Sequence, residues 1–276
     1  GVKNIGCGAV IAGNIETGED VSISVKELNI PNSIVNIPAM SIVDIYVENL
    51  YYSGTVNEWA SISFGNIVTT DGSVDMSSDF HIEMNQYSLM SCVDNAYFNN
   101  TLVNNITIKD GNKTINAFAF AGYNDQKSVS IQEKEKEIKP YAFAECSNLT
   151  VLNIPDGIDI WQKTFSSTPL VEYVGTSAGG TYVGNYLIKA SLYQSSKSLS
   201  VREGTTTIAN DAGDNGNSGI VNGETVPWLL YLTLPSSVTH ISSDAFSGYD
   251  VLNVYAEQGS YAKTWANEKG YTFIAI

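Results

Sequence analysis

The chain of 276 residues is poor in positive charge and in long apolar runs. Lysine and arginine total 14 against 29 acidic residues, which gives a net charge of −15, and Arg202 is the only arginine. Because such a surface repels phosphate groups, we expect neither nucleic acid nor an anionic membrane surface as a partner. The longest apolar stretch, residues 228–232, is far shorter than the roughly 20 residues that cross a bilayer. We therefore expect no membrane insertion.

Cysteine and histidine are also sparse. Cys7, Cys92 and Cys146 form no closely spaced pair, which argues against a disulfide scaffold or a zinc site and favours buried free thiols. The two histidines, His81 and His240, belong to no catalytic motif, and the sequence has no HExxH, no GxSxG, no phosphate-binding loop and no dinucleotide fingerprint. We expect no enzymatic activity, no cofactor and no metal ion.

Short alternating apolar pairs are abundant instead. Two apolar residues flank one small polar residue in each pair, a pattern typical of a short strand with one buried face. An isoleucine follows six or seven residues later, and beyond it come a small residue and then, usually, a phenylalanine. The pairs are Leu28-Asn29-Ile30, Ile106-Thr107-Ile108, Val129-Ser130-Ile131, Leu152-Asn153-Ile154, Leu199-Ser200-Val201 and Leu232-Thr233-Leu234. The later isoleucines are Ile37, Ile115, Ile138, Ile160, Ile208 and Ile241.

The phenylalanines define the period of the repeat. Phe120, Phe143 and Phe165 are 23 and 22 residues apart, which is within the range of leucine-rich repeats. A single unit of this size cannot bury its own apolar residues, whereas stacked units bury them against one another. We therefore expect the phenylalanines to contact each other between coils, and the strand isoleucines to stack in register. These isoleucines are Ile108, Ile131 and Ile154.

One stretch carries a family resemblance. Residues 141–155, Tyr-Ala-Phe-Ala-Glu-Cys-Ser-Asn-Leu-Thr-Val-Leu-Asn-Ile-Pro, resemble the unit of the BspA-like leucine-rich-repeat proteins of bacterial cell surfaces. Residues 50–59, 234–246 and 259–270 are similar to other parts of those proteins, the first as a tyrosine-glycine-tryptophan hairpin. The resemblance implies a β-rich leucine-rich-repeat solenoid of the α/β superhelix class, with short strands, turns and little helix. It also implies an exported, surface-displayed binding or adhesion module, and no functional residue carries over.

We predict a single solenoid over residues 1–276 with local interruptions. A degenerate, hairpin-containing segment is expected at about residues 46–100, a glycine-rich loop at 210–219, and a C-terminal helix-strand cap at about 255–276. The loop holds oxygen donors of the type that calcium prefers, but it lacks the spacing of a calcium loop, so a solvated loop is the favoured interpretation. These donors are Asp211, Asp214, Asn215 and Asn217.

The cap is predicted to contain one helix, over residues 261–269. Ser260 can cap its start and Gly270 can end it. Tyr261 and Trp265 are expected to share the apolar face that covers the last repeat, since the final unit of a solenoid otherwise leaves its core open.

Two surfaces are candidates for binding. The first is the concave strand face, where a ladder of small polar residues stands between the inward apolar ones. Its best candidates are Ser130, Asn153 and Thr233 as hydrogen-bonding groups, with Tyr231 as a stacking platform. This chemistry suits a neutral glycan or an extended peptide better than an anion, and a merely solvated face is the equal alternative.

The second candidate surface is aromatic. Tyr51, Tyr52 and Trp59 of the expected hairpin form an alternative contact patch, although packing of the hairpin against the solenoid is the favoured use of these residues. Exposed aromatic side chains are the anchors that dominate most protein interfaces, and the polar ladder lacks them except at Tyr231.

The sequence favours a non-catalytic, exported or cell-surface repeat module, monomeric, that binds an unidentified extracellular protein or a neutral glycan. One alternative is a structural spacer with no ligand. Another, less favoured, is a polysaccharide-processing hydrolase on a repetitive β scaffold, which would need clustered carboxylates on one face. Residues 1–5 do not read as a signal peptide, so any export signal is expected to have been removed or never to have been present.

Overall fold

The structure, a computed structural model, describes most of the chain as short strands joined by turns. The described residues are 1–5, 10–11, 23–38, 41–43, 45–64, 88–109, 114–132, 137–174, 179–191, 197–213, 218–221, 224–227 and 229–276. They belong to two compact units, Gly1–Ile154 with Thr164–Pro169 and Pro155–Lys163 with Leu170–Ile276. Within the described residues, neither α-helix has the length and apolar character required to span a bilayer.

The first unit is built mainly from parallel strands. Its strands are β1 (Val10–Ile11), β2 (Ile23–Ile30), β3 (Asn36–Ile37), β4 (Ile42–Val43), β5 (Ile45–Tyr52), β6 (Ser63–Phe64), β7 (Val93–Phe98), β8 (Thr101–Leu102), β9 (Asn105–Ile108), β10 (Thr114–Ile115), β11 (Ser128–Ile131), β12 (Glu137–Ile138) and β13 (Val151–Asn153). Its helices are α1 (Val56–Ala60) and one 3-10 turn, Leu89–Cys92. Parallel pairing joins β1 to β4, β3 to β6, β10 to β12, β2 to β5 to β7, and β9 to β11 to β13. Parallel pairs between successive repeats are what the coils of a solenoid produce.

The central strands carry the predicted isoleucine stack. Ile108 of β9 stands directly opposite Ile131 of β11, and both side chains are buried. Ile154, the third residue of the predicted stack, follows the last paired residue of β13 and is half-buried. The register is therefore confirmed for two of the three isoleucines, and the third lies just beyond the sheet.

The later isoleucines build a second line of short strands. Ile115 of β10 is paired with Ile138 of β12, and Ile37 of β3 is paired with Phe64 of β6. All four side chains are at most 3% exposed. Each coil therefore buries its apolar residues from two separate strands, as the repeat pattern predicts.

The phenylalanine stack is also confirmed. The ring centroids of Phe120 and Phe143 are 5.4 Å apart with planes 5° from parallel, and those of Phe143 and Phe165 are 5.6 Å apart at 7°. All three rings are at most 1% exposed. The backbone N–H groups of Phe120 and Phe143 donate to the carbonyls of Ala142 and Thr164 at 2.9 and 3.0 Å. The turns are thus joined from coil to coil by hydrogen bonds as well as by ring contact.

A left-handed residue follows this stack in each coil. Gly122, Glu145 and Ser167 lie two positions after the three phenylalanines, with φ values of 73°, 58° and 58°. This region favours glycine. At Gly122 a second constraint applies, because a Cβ atom there would lie 2.5 Å from the Cβ atom of Ser91.

The second unit combines parallel coils with antiparallel insertions. Its elements are β14 (Asp159–Ile160), β15 (Val171–Val174), β16 (Gly180–Val183), β17 (Tyr186–Ala190), β18 (Ser198–Ser200), β19 (Thr207–Ile208), β20 (Ser218–Val221), β21 (Glu224–Pro227), β22 (Tyr231–Thr233), β23 (His240–Ile241), β24 (Asn253–Ala256), α2 (Tyr261–Lys269) and β25 (Thr272–Ala275). One parallel sheet has the order β18-β22-β24-β25, and a mixed sheet has the order β15-β16-β17-β19-β23.

The antiparallel strands of this unit were not predicted. β15, β16 and β17 form an antiparallel meander, and β20 pairs with β21 as a hairpin. The predicted loop at 210–219 is therefore wrong at its end, because Ser218 and Gly219 belong to β20. Residues 214–217 of that loop lie outside the described residues.

A glycine explains one weak copy of the repeat. At Ala212-Gly213 the usual phenylalanine is missing, and a Cβ atom at Gly213 would lie 2.6 Å from a ring carbon of Phe246. The hydroxyl of Tyr249 donates to the Gly213 carbonyl at 2.9 Å. The side chains of the following coil therefore occupy the space that the glycine leaves.

The C-terminal helix-strand cap is confirmed, with two corrections. The helix α2 follows Ser260 and ends at Gly270, which has a φ of 74°, and β25 then pairs in parallel with β24. Trp265 is 4% exposed, but Tyr261 is 38% exposed and does not share its buried face. Tyr261 is the first residue of the helix. Helical side chains point back toward the helix N-terminus, so the Tyr261 side chain extends past the start of the helix and remains exposed. The Ser260 hydroxyl donates to the Glu257 carbonyl at 2.7 Å and does not cap the helix.

Replacing Phe143 by alanine should loosen the middle coils of the first unit. The substitution removes a ring that is stacked on both sides, and such losses cost about 3–5 kcal/mol of unfolding free energy. Stability in a solenoid passes between neighbours, so hydrogen exchange should accelerate in β9, β11 and β13 before it does in α2. Phe143→Leu is the control that retains most of the apolar volume. Equal loss of protection across the whole variant would contradict this expectation.

Candidate functional site

Two of the predicted ladder residues lie side by side in the first unit. Ser130 of β11 is paired in register with Asn153 of β13 and with Thr107 of β9. Asn153 is exposed and the other two are half-buried. Two residues earlier in the same strands, the Ser128 hydroxyl donates to the Asn105 side-chain oxygen at 2.7 Å. This face offers hydroxyl and amide groups in line, which suits hydrogen bonding to a neutral ligand.

The other two predicted residues lie on one strand of the second unit. Tyr231 and Thr233 are two positions apart in β22, and therefore point to the same side of the sheet. Thr233 is paired with Ser200 and with Tyr255. The ring of Tyr255 lies 6.4 Å from that of Tyr231, which is 43% exposed. Tyr255 was not among the predicted residues, although Val254-Tyr255-Ala256 has the same alternation as the other strands.

The aromatic hairpin predicted at residues 50–59 is not formed. The chain runs from β5 through a turn into α1, with Thr55 as the cap of the helix and Glu58 closing a capping box. The antiparallel hairpin of this segment lies later in the chain, between β7 and β8. Its turn residues, Asn99 and Asn100, have positive φ values of 46° and 61°, which asparagine tolerates well.

Two residues of the predicted aromatic patch are buried, so they pack against the core, which is the use that the sequence favoured, and do not form a contact surface. Trp59 is 0% exposed and Tyr52 is 1% exposed, with their ring centroids 5.1 Å apart. The Trp59 indole N–H donates to the Ala119 carbonyl at 2.7 Å. Burial, assisted by the charge of Glu58, raises the pKa of Tyr52 to about 12. These rings anchor the segment to the core, so only Tyr51 of the three remains on the surface.

Tyr51 has a stacking partner that the sequence did not reveal. It is paired in register with Tyr97 of β7, and the ring centroids are 4.9 Å apart with planes at 17°. On its other side the register places Asn29 of β2, beside a cavity of about 300 Å³ that Tyr51 and Asn100 also line. Desolvation and the charge of Glu27 raise the pKa of Tyr51. Both tyrosines are half-buried, so the stack is accessible.

A second, polar cleft opens at the other end of the same strands. Its volume is about 530 Å³, and its lining includes Tyr46, Asp94, Asn95, Asn124 and Asp125. The Tyr46 hydroxyl donates to the Asp94 carboxylate. Among the described residues, no group of three or more histidine, cysteine, aspartate or glutamate side chains is arranged to hold a metal ion.

Of the two described cysteines, Cys146 is in the core and Cys92 lines the polar cleft. Cys146 is buried and free, and burial raises its pKa to about 12. Its thiol lies 3.1 Å from the Phe120 carbonyl, to which it donates. Cys92 is half-buried and lines the polar cleft, where its sulfur lies 3.6 Å from the Ser91 hydroxyl oxygen. Cys7 and His81 lie outside the described residues.

His240 belongs to a cluster with Asp159 and Ser242. The His240 Nε2 lies 3.0 Å from Asp159 Oδ1, and the Ser242 hydroxyl donates to the same oxygen at 2.6 Å. A nucleophilic serine would have to hydrogen-bond to the histidine, whereas this serine is bonded to the carboxylate. The hydrogen bond to His240 lowers the pKa of Asp159 despite its partial burial. The cluster therefore ties β14 to β23 within the second unit.

The fold defines a leucine-rich-repeat solenoid, because parallel coils of 22 to 23 residues bury equivalent residues against each other. Comparison with known families agrees: residues 91–217 match the BspA type leucine-rich repeat region in six copies, and this part of the chain is therefore a BspA-type repeat region. The chain matches no curated protein.

The chain is also similar to three solved structures. The pneumococcal vaccine antigen PcpA is 14% identical, with a TM-score of 0.34 over 100% of this chain and 85% of that one. A leucine-rich cell surface protein from Faecalibacterium prausnitzii A2-165 is 12% identical, with a TM-score of 0.24 over 83% and 60% of the two chains. A leucine-rich repeat protein from Bacteroides ovatus ATCC 8483 is 14% identical, with a TM-score of 0.25 over 85% and 58%.

The cluster around Asp159 should make the free energy of unfolding depend on pH. Because the pKa of Asp159 is lowered in the folded chain, its charge stabilises the fold above its unfolded pKa of about 3.9. This contribution is lost as the pH falls through the lower folded value. Asp159→Asn should therefore reduce stability at pH 7, by about 1 kcal/mol since the group is half-exposed. The deficit should shrink below about pH 4.

Urea unfolding at pH 7 and pH 3 measures this difference. Asp250→Asn, at an exposed carboxylate of the same unit, is the matched control and should change stability little at either pH. A deficit for Asp159→Asn that stayed constant from pH 7 to pH 3 would show that the carboxylate charge is not responsible.

Proposed function

We propose that the chain is a non-catalytic, exported or cell-surface repeat module that binds an extracellular protein or a neutral glycan. The observation that carries this proposal is the contrast between the two faces of the strand sheets. Most of the inward residues are buried, whereas tyrosine and small polar side chains stand exposed or half-buried on the outward faces. Such a fixed surface is the usual binding surface of a solenoid.

Tyrosine pairs supply the anchors on these faces. Tyr51 and Tyr97 are stacked in the first unit, and Tyr231 lies beside Tyr255 in the second. Tyrosine is enriched among the residues that dominate binding energy, because it offers a large rigid surface with a polar end. The BspA-type repeats support an extracellular location, since the proteins that they resemble are displayed at bacterial cell surfaces.

A spacer without a ligand is the alternative to this function. A spacer needs coils that stack, but has no use for exposed tyrosines that are held in fixed pairs. The hydrolase alternative gains no support from the cluster of Ser242, His240 and Asp159, because its serine is bonded to the carboxylate.

A glycan array and a panel of extracellular matrix proteins test the proposal directly. The wild-type chain should bind at least one member. Either Asn153→Ala with Tyr231→Ala, or Tyr51→Ala with Tyr97→Ala, should weaken that binding about thirtyfold, the effect of losing one interface anchor of about 2 kcal/mol.

Tyr173→Ala is the control for these variants. Tyr173 is 81% exposed on β15, a strand that belongs to neither of the sheets that carry the tyrosine pairs, and its loss should leave binding unchanged. A wild-type chain that binds nothing in either assay would support the spacer, and equal losses with the Tyr173 variant would rule out the tyrosine pairs as the site.

A further inference from the structure

The outward face of β2, β5 and β7 combines carboxylates with tyrosines. We call it the acidic tyrosine face. All of its members are exposed or half-buried. They are Glu27, Tyr46, Glu48, Tyr51, Asp94 and Tyr97. The charged residues of these three strands are three carboxylates and one lysine, Lys26.

The backbone under this face is held in a fixed register. The Asn49 side chain donates to the Lys26 carbonyl at 3.3 Å, and the Asn95 side chain donates to the Glu48 carbonyl at 3.2 Å. Each amide therefore joins its own strand to the preceding one. With the stacked pair of Tyr51 and Tyr97, these bonds hold the face in place before any partner binds, which reduces the entropic cost of binding.

The carboxylates lie close to the tyrosine rings. Tyr46 is hydrogen-bonded to Asp94, and the charges of Glu27 and Glu48 contribute to the raised pKa of Tyr51, after desolvation. A cation placed over such a ring gains from the ring face and from the carboxylate together. An anion or a second acidic surface would be repelled at the same place.

A cavity lies at each end of the face. The cleft of about 530 Å³ includes Tyr46, Asp94 and Asp125 in its lining, and none of the described residues that line it is a lysine or an arginine. The cavity of about 300 Å³ lies beside Tyr51. Tyr46 and Tyr51 are five residues apart in one strand, which corresponds to about 17 Å. Both face outward because the alternation of buried and exposed residues shifts by one position at Glu48 and Asn49. An extended segment of five or six residues spans the distance between the two cavities.

We propose that the acidic tyrosine face binds an extended segment of a partner protein that carries lysine or arginine side chains. The proposal rests on the proposed function and deepens it, because it selects a basic protein segment over a neutral glycan. Charge complementarity favours this partner: the face and the adjoining cleft present four carboxylates, Glu27, Glu48, Asp94 and Asp125, and the chain has a net charge of −15. The ammonium or guanidinium groups would stack on the tyrosines and pair with the carboxylates, with the backbone extended along the strands.

Fluorescence anisotropy with labelled synthetic peptides tests this partner chemistry. The probe is a nine-residue peptide in which lysine alternates with serine. The same peptide with N-acetylated lysines keeps the length but loses the charge, and a glutamate-serine peptide reverses it. The wild-type chain should bind the lysine peptide, should bind the acetylated peptide at least about tenfold more weakly, and should not bind the glutamate peptide.

Two sets of charge variants separate this face from the general acidity of the chain. The triple variant Glu27→Gln, Glu48→Gln, Asp94→Asn should weaken binding of the lysine peptide roughly tenfold to thirtyfold, as expected for three partly exposed ion pairs. The control triple Glu203→Gln, Asp244→Asn, Glu268→Gln removes the same charge from exposed positions of the second unit and should have little effect. Tyr51→Ala with Tyr97→Ala should weaken binding at both 50 and 500 mM salt.

The possible failures are distinguishable. Equal losses in the two triple variants would overturn the proposal, because the attraction would then be non-specific, and so would equal binding of the acetylated peptide. If the chain binds only neutral glycans on the array, the binding function stands and the basic partner is rejected. If it binds neither glycan, matrix protein nor lysine peptide, both proposals fail. Unchanged thermal unfolding of the variants confirms that they are folded.

Discussion

The structure depends on contact between equivalent residues of successive coils. Phe143 has one ring above it and one below it, and a coil on its own would leave that ring in water. The same holds for Ile108 against Ile131 and for Ile115 against Ile138. Since a coil of about 23 residues has no interior of its own, these contacts supply the burial that stabilises it.

This constraint also determines the geometry of the proposed binding surface. Once the inward residues are in register, the outward residues of neighbouring strands must be aligned as well, because the side chains of a strand alternate between its two faces. Tyr51 and Tyr97 are 46 residues apart in sequence, yet they stack because Leu50 and Ala96 pair beneath them in the core. The geometry of the surface is therefore a consequence of core packing, and it is fixed before a ligand arrives.

The sequence predicted the features that are encoded locally. The alternating strand pairs, the phenylalanine stack, α2 and its end at Gly270 all follow from patterns within one repeat. Features that depend on long-range pairing were missed: Tyr97 could not be matched to Tyr51 across the irregular spacing, and the hairpin of β20 and β21 has no repeat signature. The burial of Trp59 was ambiguous for the same reason, since its partner, the Ala119 carbonyl, is 60 residues away.

The placement of charge on the first sheet follows from the same register. Like charges directly opposite each other on neighbouring strands are destabilising, and an in-register solenoid would stack identical residues in this way. Here Glu27 of β2 is paired with Asn49 of β5, and Asn49 with Asn95 of β7. The residues aligned with Glu27 on the two neighbouring strands are therefore neutral amides. Glu27 therefore has no carboxylate opposite it. Glu48 and Asp94 do lie next to each other, between the pairs Val47–Val93 and Asn49–Asn95, and the Tyr46 hydroxyl donates to Asp94. The carboxylates of this sheet are exposed to solvent, where a positively charged partner can neutralise them.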